Sequence, residues 1–138
     1  YEELEKTSSG NQMREILSDF FKTVPKDDIA LVSYLTLGQI SSEFESAVLG
    51  LAEKTVLKAI ASAGAISIKK VKEIMHSKGD VGLTAEKVLQ KKPQRLIPIG
   101  KLTIHDLFYT LHKIVKLSGT GSQDKKTQLL VSVLQKAS

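Results

Sequence analysis

The chain has 138 residues, enough for one domain with a buried core and too few for a second of similar size. It contains no cysteine, which excludes a disulfide framework and a thiolate metal site and points to a reducing, intracellular and cytoplasmic setting. The net charge of +5 is unevenly placed: residues 1–50 carry four basic against nine acidic groups, a net of −5, and the remainder sixteen against six, a net of +10. No apolar run approaches the roughly 20 residues needed to cross a bilayer, and the polar, acidic start YEELEKTSSG is unlike a signal peptide, so no membrane partner is expected.

In chain order the apolar residues recur at three and four, without a stretch of strict alternation, so every predicted element is a helix. Residues 11–23 place Met13, Ile16, Leu17, Phe20 and Phe21 on one face. Pro25 separates this helix from a second over about 26–37, and the two are expected to form a helical hairpin. Residues 38–50 lack a clean period and read as a connection. The next helix, over about 51–63, has Leu51, Val56, Leu57, Ile60 and Ala61 as its inner face, and Gly64 ends it as a residue tolerant of the left-handed conformation.

Ser67 caps a helix reaching about Ser77, and a shorter one follows Gly79-Asp80 to about Gln90. KKPQRLIPIGK, with two prolines and a glycine, is a loop. Thr103 and Asp106 have capping-box spacing and open a helix to about Leu117; a last one runs from Lys125 to Lys136. The fold class is therefore all-α, an irregular bundle of about six to eight helices with helical hairpins. The tail LLVSVLQKAS overlays ILSDFFKTVP, Leu129 on Ile16 and Val133 on Phe20, but stops where the first copy meets its second helix; the domain is expected to be incomplete at its C-terminal end.

No catalytic constellation is present. LSGTGSQDKK lacks the lysine and hydroxyl residue that must directly follow the second glycine of a nucleotide-hydrolase loop. His76, His105 and His112 lack the adjacent-turn spacing of paired metal ligands. Several helix starts could instead hold anions, because the first amides of a helix are unpaired and lie at the positive end of its dipole. In SGTGSQDKK the glycines allow close approach, Ser118, Thr120 and Ser122 can donate hydrogen bonds, and Lys125 and Lys126 supply charge. In LGLAEKTVLK, Gly50 precedes Lys54, Thr55 and Lys58, and in SKGDVG the candidates are Lys78 and Gly79.

An aromatic content of 5% without tryptophan leaves few platforms for stacking single-stranded bases, so the backbone of a duplex fits better. Phe20, Phe21, Phe44, Phe108, Tyr34 and Tyr109 have core-like spacing. A helical protein-interaction module with a basic face for an acidic partner is the alternative to a nucleic-acid binder.

The ordered set YEELEKTSS, VSYLTLGQI, LGLAEKTVLKAIA, KGDVGLTAE, LTIHDLFYTLHKI and SGTGSQDKKTQLL resembles the N-terminal DNA-binding domain of archaeal-type ATP-dependent DNA ligases, here truncated. Val81 and Lys101 depart from the leucine and proline common there. The resemblance implies an all-helical domain over residues 1–138 that grips the minor-groove face of duplex DNA on both sides of a nick, mainly through phosphates. It implies a parent enzyme of DNA replication, repair and recombination, with nucleotidyltransferase and OB-fold domains as further partners. ATP and magnesium would serve that parent and no cofactor this chain, because its adenylylated Lys-x-Asp-Gly motif is absent here; alone the chain is expected to be inactive. Carried over by residue, the phosphate-contacting loop is Ser118, Gly119, Thr120, Gly121, Ser122, Gln123, Lys125 and Lys126, and the second helix start is Gly50, Lys54 and Thr55.

Overall fold

A computed structural model describes residues 2–39, 49, 51–90 and 100–137. Among these residues there are eight α-helices and no strand: α1 (Glu2–Glu5), α2 (Gly10–Thr23), α3 (Ile29–Thr36), α4 (Glu53–Ala63), α5 (Ile68–Lys78), α6 (Val81–Leu89), α7 (Ile104–Lys116) and α8 (Ser122–Lys136). The all-α expectation holds. No helix among the described residues is long and apolar enough to cross a membrane. The connection over 38–50 and the loop KKPQRLIPIGK fall largely outside the described residues, as does Phe44.

α4 is the axis of the bundle and packs against α5, α6 and α8. Its sequence explains why. Ala59, Ala61 and Ala63 are small enough to let neighbouring helices approach, while Leu57 and Ile60 fill the space between them with Val71 of α5 and Val88 of α6. Complete burial of Ile60 contributes about 1.5–3 kcal/mol by removing apolar surface from water. Thr84 is the one hydroxyl residue in this interior among the described residues, and its Oγ1 donates to the Asp80 carbonyl at 2.7 Å.

The end of α4 differs in detail from the sequence reading. Gly64 is right-handed (φ −84), and it is Ala65 that adopts the left-handed conformation (φ 52). The amide of Ala65 donates to the Ser62 carbonyl and that of Ile66 to the Ala61 carbonyl, the paired bonds of a Schellman motif. Gly64 is required for a different reason. A Cβ there would lie 2.3 Å from Val88 Cγ1, so the glycine lets α6 pack onto the end of α4.

α5 and α6 form a hairpin whose turn is Gly79, left-handed at φ 69, with its amide bonded to the Met75 carbonyl at 2.8 Å. α7 and α8 form another, antiparallel, with Asp106 near the start of α7 3.5 Å from Lys136 at the end of α8. α3 packs against α7, where Tyr34 and Phe108 have ring centroids 6.2 Å apart and His105 bonds to Asp28. This replaces the expected hairpin of the first two long helices: a 3₁₀ turn over Lys26–Asp28 after Pro25 redirects the chain, and α3 finds its partner in α7. The predicted face of α2 exists, but no residue of α2 is buried and Phe20 is 42% exposed.

Candidate nucleic-acid interface

A helix start holds an external anion only where the protein has not already filled it with a side chain of its own. The Ser67 hydroxyl accepts from the Lys70 amide at the start of α5, and Asp80 Oδ1 accepts from the Leu83 amide at 2.8 Å at the start of α6. At α7, Thr103 and Asp106 complete the expected capping box. The suggested Lys78–Gly79 anion seat is thereby corrected. The Gly79 amide is bonded to Met75, and the carboxylate of Asp80 occupies the adjoining helix start.

The starts of α2, α3, α4 and α8 carry no side-chain cap, and that of α3 follows directly on the 3₁₀ turn in the acidic part of the chain. That of α2 lies in the acidic part of the chain, and those of α4 and α8 in the basic part. α8 begins at Ser122, three residues before the expected Lys125, so Ser122 and Gln123 belong to its first turn. Gly121 is its left-handed N-cap residue (φ 78) and Gly119 is left-handed as well (φ 85); a Cβ on either would meet nothing within 4 Å. The two glycines thus serve the turn of the backbone and leave open space in front of it. Residues 118–121 and Gln123 are exposed and Ser122 is half-buried. Among the described residues, the amides of Thr120, Gly121, Gln123 and Asp124 meet no acceptor. The carboxylate of Asp124 in the first turn opposes an incoming anion, while Lys125, exposed, favours one.

Lys126 departs from the expectation. It is only 6% exposed, and its Nζ donates to the Leu49 carbonyl at 2.8 Å instead of facing solvent with Lys125. Adjacent residues on a helix are about 100° apart, so one lysine of the pair faces outward while the other turns onto α4. The contact has a consequence for the site. Leu49 lies four residues before Glu53, the first residue of α4, whereas Leu134, two turns after Lys126, packs on the core cluster that includes Leu57 and Ile60. α4 and α8 therefore run parallel, and their uncapped starts lie at the same end of the bundle, joined by Lys126.

At α4, Lys54 is exposed and Thr55 half-buried, and the Thr55 amide is already bonded to the Ala52 carbonyl at 2.8 Å. Gly50 lies outside the described residues. Beside this start is a cleft of about 360 Å³ lined by Lys54, Lys58 and Lys72 together with Glu53. Lys72 was missed by the sequence reading. It sits in the lysine run of α5, IKKVKE, where the buried Val71 fixes which way its neighbours point, but nothing in the local pattern shows that α5 lies beside the start of α4. The core expectation for the aromatics also fails at Phe20 and at Tyr109, which is 64% exposed with Lys113 Nζ 4.5 Å from its ring centroid.

A family model described as DNA ligase N terminus matches residues 1–138. The chain is 34% identical over its whole length to a DNA ligase of Nitrosopumilus maritimus, of which it covers 24%. It is 38% identical to DNA ligase 2 of Thermofilum pendens, with 99% of this chain and 24% of that protein aligned. It is 37% identical to DNA ligase 1 of Methanosarcina acetivorans, with 99% of this chain and 23% of that protein aligned. The chain spans about a quarter of the length of these curated relatives.

Proposed function

The chain belongs to the DNA ligase N-terminus family, and on that premise we propose that it binds duplex DNA, nicked duplex included, through the phosphate backbone on the minor-groove side, without reading sequence. The observation that supports this most directly is the pair of uncapped, parallel helix starts of α4 and α8, held side by side by the Lys126–Leu49 hydrogen bond. Their free amides and dipoles would take phosphate oxygens, Ser118, Thr120 and Ser122 would donate further hydrogen bonds, and Lys125, Lys54, Lys58 and Lys72 would supply charge. Lys126 acts here as a positioning residue that sets the spacing of the two starts.

The wider role is that of the DNA-binding part of an ATP-dependent DNA ligase in replication and repair, working with nucleotidyltransferase and OB-fold domains. ATP and magnesium belong to that larger enzyme. No Lys-x-Asp-Gly motif occurs in this sequence, and no chemical step is assigned to this chain.

The salt dependence of binding to a short nicked duplex, followed by fluorescence anisotropy, tests the reading. Neutralising roughly 4 to 6 phosphates gives a slope of log affinity against log salt of about −4 to −5. Lys125→Ala should make the slope shallower by about 1, and Asp124→Asn should tighten binding. Lys126→Met should leave the slope unchanged while lowering the melting temperature, because it removes a charged donor from a partly buried carbonyl. A slope near zero, or competition by polyglutamate as effective as that by DNA, would sink the proposal and favour an acidic protein partner.

A further inference from the structure

α7 and α8 are antiparallel, so the end of α7 at Lys116 lies beside the start of α8 at Ser122, at the end of the bundle where the uncapped starts of α4 and α8 adjoin. The last turn of α7 carries two lysines, Lys113 and Lys116. Both are exposed, both line a cleft between α3 and α7, and neither forms an ion pair among the described residues. At the far end of α7 the polar groups are partnered, His105 with Asp28 and Asp106 with Lys136. The negative end of a helix dipole is equivalent to about half a charge, so it favours one nearby ammonium group and leaves most of the charge of two uncompensated. Lys125 stands across the turn, and Asp124 is the one carboxylate from Leu107 to Lys136. This corner of the bundle is therefore cationic beyond what α7 itself needs.

We infer that Lys113 and Lys116 carry the phosphate track from the paired helix starts onto α7, with Tyr109 as a positioning residue that holds Lys113. The inference rests on the duplex-binding reading above and adds the direction in which the duplex leaves the two starts. The ring of Tyr109 lies 4.5 Å from Lys113 Nζ, which fixes a flexible side chain on the exposed side of α7. In packing order the track runs from Lys72 of α5 through Lys54 and Lys58 of α4 and Lys125 of α8 to Lys116 and Lys113 of α7. Those four helices are separated by three interhelical steps of about 8–10 Å, so the track spans no more than about 30 Å, or about nine base pairs at 3.4 Å each. Lys113 and Lys116 raise the cations on it from four to six, the upper end of the number of phosphates expected to be neutralised.

The test compares salt slopes on the same nicked duplex for the parent, Lys125→Ala, Lys113→Ala/Lys116→Ala and Lys101→Ala, the last an exposed lysine near the opposite end of α7. The Lys113→Ala/Lys116→Ala slope should be shallower than that of the parent by about 2, and the Lys101→Ala slope should match the parent. Tyr109→Phe keeps the face of the ring and should bind as the parent does, whereas Tyr109→Ala should bind about two- to fivefold more weakly. A parent slope near zero would end the duplex-binding reading and this inference with it. A slope of about −4 to −5 that becomes shallower in Lys125→Ala but not in Lys113→Ala/Lys116→Ala would keep that reading and overturn the inference. A lower melting temperature of that double variant with an unaltered slope would reduce the two lysines to complements of the α7 dipole, and an equal change in Lys101→Ala would trace the effect to net charge; either result also overturns it. Equal affinity of Tyr109→Ala and Tyr109→Phe would overturn the role given to the ring.

Discussion

Gly64 and Ala65 stand side by side with their expected roles exchanged. The glycine is right-handed and is needed because the end of α4 touches Val88, while the alanine carries the left-handed strain. Gly64→Ala should therefore destabilise the fold by about 1–3 kcal/mol, because valine is stiff at χ1 and cannot swing Cγ1 away cheaply. In the Gly64→Ala/Val88→Ala double variant part of that loss should be absent, a coupling that denaturant melts of the four-member cycle would reveal. Ala65→Gly should act in the opposite direction. The left-handed conformation costs an L-residue about 1–2 kcal/mol, partly offset by the greater freedom of glycine in the unfolded chain, so a net gain of about 0.5–1 kcal/mol is expected from the same melts. Sequence showed that a helix ends here. Which residue bears the positive φ depended on where α6 lands.

Helix starts and ends were the most legible elements, because a cap is a contact among residues three or four apart and needs no tertiary information. Ser67 and the Thr103–Asp106 box cap the helices expected of them, and the helix expected after Gly79-Asp80 is capped by Asp80. α8 begins earlier than its sequence pattern predicts because its N-cap is a left-handed glycine with no side chain to announce it. The capping box also makes a prediction about pH. The backbone amide of Thr103, then its hydroxyl, and then Lys136 hold the Asp106 carboxyl below its ordinary value of 3.8. A depressed folded-state value means that ionised Asp106 adds stability above the unfolded-state value, and that this stability is lost as pH falls through the lower folded value. Asp106→Asn should melt at a lower temperature than the parent at neutral pH, and the gap between the two should close below about pH 4. A gap that persists at pH 2 would assign the effect to packing and not to charge.

For the molecule as a whole, stability is concentrated around α4 and thins towards the N-terminus. Ile60→Ala should cost about 2–5 kcal/mol, with helicity lost in one transition across α4 to α8. Amide hydrogen exchange should be slowest in α4 and fastest in α1 and α2, which have no buried residues; slow exchange in α2 would mean that its apolar face is already covered. By itself the sequence determined that the protein is all helical, where most of its helices begin and end, and that its charge is divided between an acidic and a basic part, since these depend on periodicity, on short-range caps and on composition. Only the tertiary structure decided that α3 packs on α7, that α4 and α8 run parallel with adjoining starts, that Lys125 faces outward while Lys126 turns onto Leu49, and that Lys72 joins Lys54 and Lys58. Each of these relates residues distant in the chain, and amphipathic helices of similar pattern can pair in many ways until shape and burial select one.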